Sequence, residues 1–208
     1  MAASSNRGRK KAASRKRILA AGARLFRERG IDGASVDDVM AGAELTRGGF
    51  YAHFSDKAEL IEQAVHQMFD ESERAWLVAE PLSRAEWLSG ALGRYLSPRH
   101  LASTGAGCAL PALSAEVARS GTGARAMTER TIRMIDLLAA RLSSVSNISS
   151  APPTDDARRE AMVLLSTCIG AMTIARAMTD ERTARELLES VHRSLMEGRE
   201  SGVVPFHR

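Results

Sequence analysis

The fold is decided by residues 35–57, which read SVDDVMAGAELTRGGFYAHFSDK. The segment opens with Ser35, which lies three residues before Asp38 in a pattern close to a capping box. This spacing predicts a short helix over residues 36–41. Gly42 follows directly, and glycine at this position predicts the end of the helix.

A second short helix is predicted over residues 47–53, with Thr46 as its N-cap. Two short helices joined by a tight turn predict a helix-turn-helix motif over residues 35–54, which places its second helix in the major groove of DNA. That helix begins with the adjacent glycines Gly48 and Gly49, each of which costs about 1 kcal/mol relative to alanine. Either the backbone approaches DNA closely here, or a neighbouring helix packs tightly against it.

The side chains of the second helix suit contacts with DNA. Arg47 can form two hydrogen bonds to a guanine edge, and Thr46 can meet a phosphate or a base. Tyr51 and His53 can donate to phosphates, and Lys57 can neutralise one. Taken singly, Tyr51 or His53 would more often be an ordinary surface residue, but their grouping on one short helix favours DNA.

Positive charge is concentrated at the N-terminus. The net charge is +4, but residues 1–30 carry ten basic side chains and one acid, whereas residues 61–208 carry seventeen basic and eighteen acidic ones. A basic head on a neutral body predicts a polyanionic partner, either nucleic acid or an anionic membrane; a tail that only aids solubility is the alternative. The cations expected to contact phosphates or the minor groove are Arg7, Arg9, Lys10, Lys11, Arg15, Lys16 and Arg17.

The rest of the chain also has helical patterning, and no run alternates in the manner of a β-strand. A first helix is predicted over residues 14–29, with Gly30 just past its end. Ser55 is predicted to cap a long helix that Pro81 ends. The predicted fold class is therefore all-α. Further helices are predicted over residues 83–96, 109–120, 124–146, 156–178 and 181–199.

Composition excludes several classes of protein. The 208 residues are 44% hydrophobic, enough to build a core without disulfides. Two cysteines form no disulfide framework, so a reducing cytoplasm is expected. No apolar run approaches the ~18 residues of a membrane span, because the longest candidate, near residues 161–178, is interrupted by hydroxyl residues, a glycine and Arg176. No apolar segment of a secretory signal follows the basic N-terminus.

Catalysis and metal binding are not predicted. The chain has no Gly-x-Ser-x-Gly elbow, no Walker loop and no His-Glu-x-x-His pair. Its five histidines lack metal-ligand spacing with the cysteines, so neither a metal nor another cofactor is expected. A rival hypothesis is a basic amphipathic helix on a membrane or partner surface, but the first helix lacks the Trp- and Phe-rich face that this requires.

Residues 18–65 resemble the DNA-binding domain of the TetR (tetracycline repressor) family. The matching features are the first helix with Gly30, the Ser35-Val36 helix start, Gly42, and FYAHF followed by Ser55-Asp56-Lys57. The resemblance implies a homodimer that binds a palindromic operator, usually represses transcription, and is released by a small molecule in a larger domain. A ligand-independent regulator or an activator on the same fold is the alternative. The positions that touch DNA in such proteins are here Ser35, Thr46, Arg47, Gly48, Gly49, Tyr51, His53 and Lys57.

The sequence departs from the family at Gly49, where a bulkier residue is common, so base readout is expected to rest mainly on Arg47 and the basic arm. A second and weaker similarity lies at residues 107–116, which read GCALPALSAE. This segment resembles a branch of the family in which some members sense drugs or reactive electrophiles. A small hydrophobic or electrophilic ligand is therefore expected.

Side chains of the larger domain can line an apolar cavity between helices, or can simply form its hydrophobic core. Cys108 follows a glycine-containing stretch near a helix start, where a thiol can become reactive; a buried inert cysteine is the alternative. The predicted cavity residues are Trp76, Trp87, Tyr95, Cys108, Leu113, Met127 and Met134.

The predicted helices 156–178 and 181–199 are more apolar than a single core face requires. Two such helices from each subunit predict a four-helix dimer interface, with burial inside one subunit as the alternative. The predicted segments of the chain are a disordered basic arm (1–11), a helix-turn-helix DNA-binding domain (12–72), a helical ligand-binding and dimerisation domain (73–200) and a flexible tail (201–208).

Overall fold

The structure is a computed structural model that describes residues 2–76, 83–143 and 153–200. Helices account for the regular structure of these residues, and none of them forms a strand, so the predicted all-α fold class is confirmed. The α-helices are α1 (Ala2–Arg29), α2 (Val36–Gly42), α3 (Lys57–Trp76), α4 (Arg84–Tyr95), α5 (Pro98–Ala102), α6 (Ala109–Ser120), α7 (Ala124–Ser143), α8 (Asp155–Ala177) and α9 (Glu181–Glu200). Two 3₁₀ helices lie at Arg47–Ala52 and Thr104–Ala106.

Two compact units divide the chain. The first combines Met1–Ser72 with Thr104–Arg130, and the second combines Glu73–Ser103 with Thr131–Arg208. The sequence predicted one larger domain over residues 73–200, whereas the segment 104–130 groups here with α1 and α2 in the first unit. Long-range hydrogen bonds explain the difference, because Arg27 of α1 donates to the Gly105 carbonyl at 2.8 Å.

The first unit has a continuous apolar core. Ile18, Leu25 and Phe26 of α1 are buried, and so are the side chains that α2 and the 3₁₀ helix Arg47–Ala52 turn inward. Phe50 and Phe54 stack with ring centroids 5.6 Å apart, and the Arg15 guanidinium lies 4.8 Å from the Phe54 ring centroid. The remaining large core residues include Val39, Met40, Leu60, Ile61, Met68 and Phe69.

Helix α1 is longer than predicted. The sequence predicted a disordered arm over residues 1–11 and a helix that starts near residue 14, but the helix begins at Ala2. Alanine, arginine and lysine are strong helix formers, and residues 9–17 are composed almost entirely of them. The helix end agrees with the prediction, since Gly30 follows Arg29 with a φ of 77°.

Helix α2 starts as predicted. The Ser35 hydroxyl accepts a hydrogen bond from the Asp38 N–H at 3.1 Å, and the Ser35 N–H donates to the Asp38 carboxylate at 2.8 Å. The hydrogen bonds from the side chain and backbone of Ser35 hold the pKa of Asp38 below its ordinary value. This reciprocal pair is a capping box, which fixes the start of the helix-turn-helix.

The end of α2 differs from the prediction. Gly42 is the last helical residue, and the left-handed position is instead Glu44, with a φ of 53°. The Leu45 N–H donates to the Met40 carbonyl, and the Glu44 N–H donates to the Ala41 carbonyl, both at 2.9 Å. These are the two hydrogen bonds of a Schellman motif, so a residue with a Cβ occupies the position that glycine usually takes.

The second helix of the motif is a 3₁₀ helix, Arg47–Ala52, where an α-helix over residues 47–53 was predicted. Two adjacent glycines lower the propensity for an extended α-helix, and short helical segments tighten easily into 3₁₀ turns. The start of α3 is also corrected. The Asp56 carboxylate accepts from the Glu59 N–H at 2.8 Å, whereas Ser55, the predicted cap, donates to the Glu59 carboxylate.

The second unit has a core of aromatic and aliphatic side chains. The Trp87 indole N–H donates to the Trp76 carbonyl at 2.9 Å, and the Trp76 and Tyr95 rings lie 5.0 Å apart. Ser83 and Thr154 cap α4 and α8 with their side chains. The predicted helices that correspond to α6, α8 and α9 have nearly their observed bounds. The predicted stop at Pro81 and the predicted tail 201–208 lie outside the described residues.

Helix α8 is more apolar than predicted, because the sequence analysis expected its interruptions to exclude the hydropathy of a membrane span. Among the described helices it alone is long and apolar enough to span a membrane, with a mean hydropathy of 1.3 over the best window. Ser166, Thr167 and Gly170 interrupt the run without lowering its hydropathy far, because none of them is charged. A core helix of a soluble protein satisfies the same test, and Leu164, Cys168 and Met172 of α8 are fully buried.

Candidate nucleic-acid interface

Arg47 occupies the first position of the 3₁₀ helix Arg47–Ala52. Its side chain is 79% exposed, and its Nη1 lies 2.9 Å from Oδ2 of Asp37 in the first turn of α2. Both helices of the motif therefore contribute to this ion pair. A guanidinium has five N–H donors, so the pair leaves donors free to bind a guanine edge.

The two glycines that follow Arg47 are not required by internal packing. A Cβ added to Gly48 would meet no atom within 4 Å, and one added to Gly49 would meet only the Met40 methyl group, at 3.6 Å. Neither glycine has a positive φ. No side chain covers the backbone at these two glycines, and the surface around them is accessible. Another molecule can therefore approach the main chain closely here.

Three further predicted residues are exposed on this surface or at its edge. Tyr51 is 74% exposed, an unusual fraction for an aromatic ring, although its edge packs against Phe50 with the centroids 5.3 Å apart. Thr46 is the N-cap of the 3₁₀ helix but makes no capping hydrogen bond with its side chain. Ser35 is exposed, and its hydroxyl is engaged by Asp38.

His53 lies at the end of the 3₁₀ helix and is half-buried. Its Nδ1 is buried and has no hydrogen-bond partner within the described part of the chain. Burial lowers the pKa of His53 from its ordinary value, and the charges of Lys11 and Arg15 lower it further. The neutral ring is therefore favoured, and a phosphate placed beside it would reverse part of this effect.

Lys57 is only partly available to an outside partner. Its Nζ donates to the Ile31 carbonyl at 2.7 Å, and its side chain is half-buried. The sequence predicted a phosphate contact and missed this bond, because Ile31 lies 26 residues away in the loop between α1 and α2. An ammonium has three N–H donors, so two remain for a phosphate.

The basic arm forms the N-terminal half of α1. Its cations Arg7, Arg9, Lys10, Lys11 and Lys16 are exposed. Arg15 and Arg17 form contacts inside the first unit, because Arg15 donates a hydrogen bond to Gln63 and Arg17 forms an ion pair with Glu44 at 3.0 Å. Among the residues that the structure describes, the arm therefore offers five exposed cations for phosphates, fewer than the seven that the sequence suggested.

A bare backbone, an exposed arginine and an exposed tyrosine thus share one short helix of a capped helix-turn-helix. The model of the family described as bacterial regulatory proteins, tetR family, matches residues 18–64, which span α1, α2, the 3₁₀ helix and the start of α3. This part of the chain, less than a quarter of its length, is therefore similar to the TetR family.

A curated relative matches part of the chain. The chain is 35% identical over 60 residues to the HTH-type transcriptional repressor DhaR of Mycobacterium sp. (strain GP1). The aligned segment covers 29% of this chain and 30% of that repressor. The match therefore spans less than a third of the relative.

Solved structures extend the likeness over most of the chain. Reduced E. coli NemR has a TM-score of 0.73 at 23% identity, covering 88% of this chain and 95% of that one. A TetR-family regulator from Agrobacterium tumefaciens has a TM-score of 0.71 at 21% identity, covering 90% and 97%. One from Chloroflexus aurantiacus has a TM-score of 0.73 at 22% identity, covering 92% and 96%. At this identity the likeness establishes the fold.

The seven predicted ligand residues are all buried, and they are divided between the two units. Trp76, Trp87 and Tyr95 lie together in the second unit, to which Met134 also belongs. Cys108, Leu113 and Met127 belong to the first unit, where Cys108 is the N-cap of α6 without a side-chain capping bond. No group of three or more potential metal ligands occurs among the described residues.

Proposed function

We propose that this chain is a homodimeric repressor of the TetR family that binds a palindromic operator in the cytoplasm and is released by a small organic ligand. The single observation that carries the DNA-binding part is the exposed 3₁₀ helix, in which Arg47 precedes two glycines with open space around them. A helix with this shape can enter a major groove with its backbone close to the base edges.

An exposed apolar stripe on α8 supports the dimer. Val163 and Ile174 of α8 and its C-cap residue Met178 are 36%, 53% and 36% exposed, and a Cβ added to Gly170 would meet nothing within 4 Å. These positions are spaced for one helix face. In a symmetric dimer, a partner subunit would cover this stripe and α9. The two copies of the 3₁₀ helix Arg47–Ala52 would then lie one DNA turn or more apart.

The aromatic cluster of the second unit supports a ligand site. Trp76 and Trp87 are the two tryptophans of the chain, and with Tyr95 they form a buried apolar cluster. Helix α3 begins at Lys57, a predicted DNA contact, and ends at Trp76, a predicted ligand contact. A ligand that favours another position of α3 would change DNA affinity only by its difference in affinity for the two states.

Selection of duplexes from a random-sequence pool by the full chain tests DNA binding directly. We expect an enriched palindrome and two protomers per duplex, measured by light scattering of the complex. Deleting residues 1–11 should flatten the dependence of affinity on salt, by about 0.9 in the logarithmic slope for each phosphate that the arm no longer neutralises. A pool without enrichment at low ionic strength would contradict the proposal.

The ligand part is tested separately, by tryptophan fluorescence and by release from the selected duplex. A hydrophobic ligand bound at the cluster should change the emission of both tryptophans and lower DNA affinity. A small electrophile, N-ethylmaleimide, tests the electrophile alternative, with Cys108→Ser as the control. Failure of every ligand tested, with binding to the palindrome intact, would favour a ligand-independent repressor, and activation of a reporter would favour an activator.

A further inference from the structure

Helix α6 is bonded to the loop that joins α1 and α2. The Glu116 carboxylate accepts two hydrogen bonds from consecutive backbone N–H groups, those of Ile31 and Asp32, both at 2.8 Å. All three residues belong to the first unit. Hydrogen bonds to an ionised acceptor are about twice as strong as neutral ones, so this carboxylate fixes the loop firmly.

The approach of Glu116 to the loop is built into the backbone. Gly30 has a φ of 77°, and a Cβ added there would lie 2.8 Å from Glu116 Oε2. The left-handed conformation favours glycine at this position, and a side chain here would also displace the Glu116 carboxylate from the loop.

The same loop holds Lys57. The Lys57 Nζ donates to the Ile31 carbonyl at 2.7 Å, and that carbonyl shares one peptide plane with the Asp32 N–H, which donates to Glu116. The carboxylate and the ammonium thus bind opposite ends of a single peptide group. Each bond polarises the peptide in the direction that strengthens the other.

We propose that Glu116 is a positioning residue for the DNA contact of Lys57, acting through the Ile31–Asp32 peptide. The inference rests on the proposed function, in which Lys57 meets a DNA phosphate. One ammonium N–H is held by the loop, and the two others have directions set by that bond. Loss of the Glu116 bonds lets the peptide turn, so the ammonium loses its fixed place beside the phosphate.

A second contact joins the segment that contains α6 to α1, at the residues that precede α6. Arg27 of α1, whose side chain is almost fully buried, donates to the Gly105 carbonyl just ahead of α6 and pairs with Glu71 of α3. The segment just ahead of α6 is therefore bonded to α1, and Glu116 in the second half of α6 is bonded to the loop that follows α1.

A double-mutant cycle with Glu116→Gln and Lys57→Ala tests the proposal. Glutamine keeps the shape of the side chain but turns one accepting oxygen into an NH₂ donor, so one amide of the loop loses its partner. The probe is a mixed-sequence duplex, because a phosphate contact is independent of sequence. Affinity is measured against salt concentration, and circular dichroism melting establishes that each variant is folded under the conditions used.

We expect Lys57→Ala to lower the logarithmic salt slope by about 0.9 for each phosphate that Lys57 neutralises, and Glu116→Gln to lower it in the same direction. The double variant should bind like Lys57→Ala alone. Lys57→Arg, which keeps the charge and a donor for Ile31, should restore most of the slope. Glu129→Gln, an equal charge change at an exposed position of α7, is the matched control and should retain the wild-type slope.

Additive losses from the two substitutions, or an unchanged slope in Glu116→Gln, would overturn the positioning role. A wild-type chain that ignores the duplex would instead contradict the proposed function, so the two failures are distinguishable. Hydrogen exchange gives a second readout: at least one of the Ile31 and Asp32 amides should exchange faster in Glu116→Gln, and unchanged exchange rates at both amides would count against the peptide route.

Discussion

The Arg47 guanidinium is held 2.9 Å from the Asp37 carboxylate, across the turn of the helix-turn-helix. Both side chains are largely exposed, at 79% and 52%, so the ion pair adds little to stability. The ion pair instead orients the Arg47 guanidinium, because a carboxylate bound at one edge of the group restricts how its other edge can face a base.

The first prediction concerns Arg47. Arg47→Ala should cost about 1–3 kcal/mol at one base pair of the selected operator and relax specificity at that position. Fluorescence anisotropy with single-base variants of the operator measures this. Arg182→Ala, which removes an equally exposed and ion-paired arginine from α9, should leave the specificity profile intact. An equal weakening on all sequences would make Arg47 a phosphate contact.

The second prediction separates folding from binding at Gly48. The space around its Cα is open, so Gly48→Ala should leave the free energy of unfolding unchanged or raise it by up to about 1 kcal/mol. The added methyl group should nevertheless weaken DNA binding, because it holds the backbone away from the groove. Gly93→Ala, at an equally open position of α4, should alter stability alone. Equal DNA affinity of both variants would place Gly48 outside the interface.

The third prediction concerns the left-handed Glu44. Glu44→Gly should stabilise the chain by about 1 kcal/mol, since a left-handed conformation costs a residue with a Cβ that order of energy. Glu44→Gln retains the strain and loses the charge that pairs with Arg17, so it isolates the contribution of the ion pair. Urea unfolding followed by circular dichroism gives both values. A destabilised glycine variant alongside an unaffected glutamine variant would refute the strain argument.

The fourth prediction concerns pH. Burial, Lys11 and Arg15 lower the pKa of His53 below its ordinary 6.5, so the unfolded chain binds a proton before the folded chain does. The His53 contribution to stability is therefore present above pH 6.5 and falls as the pH drops through that value towards the lowered pKa. His53→Gln should flatten the stability curve in this window, measured by thermal unfolding at several pH values. A slope identical to that of the wild type would assign the effect to other groups.

The fifth prediction concerns the dimer. Ile174→Asp should produce monomers in light scattering, because a carboxylate within the apolar stripe of α8 cannot be buried against a partner. Ile132→Asp introduces the same change at a comparably exposed position of α7 and should leave the oligomeric state unchanged. Dimers of normal stability in the α8 variant would place the interface elsewhere.

Local signals in the sequence predicted much of the DNA-binding unit. The capping box at Ser35 and the end of α1 at Gly30 depend on neighbours within a few residues, and both occur as predicted. The sequence indicated Ser55 as the cap of α3, although the side chain of Asp56 suits the role equally, since only the backbone geometry decides between them.

The relationships that the sequence could not predict are those between distant residues. Glu116 lies 85 residues from Ile31, and its type alone does not distinguish it from other acids on helix surfaces. The ion pair of Arg47 with Asp37 and the tether of Lys57 to the loop depend equally on three-dimensional placement. The spacing of apolar residues predicts which face of a helix is buried, but it does not predict which face of another helix packs against it.

The unbroken course of α1 from Ala2 changes how its cations can act. A rigid rod presents each charge at a fixed azimuth, with successive residues rotated by about 100°. Inserting a single alanine between Ala12 and Ala13 would swing every upstream cation around the axis without altering the total charge. An unchanged affinity for DNA after that insertion would mean that the segment acts through its charge alone. A lower affinity would mean that the orientation of the cations around the helix axis also contributes.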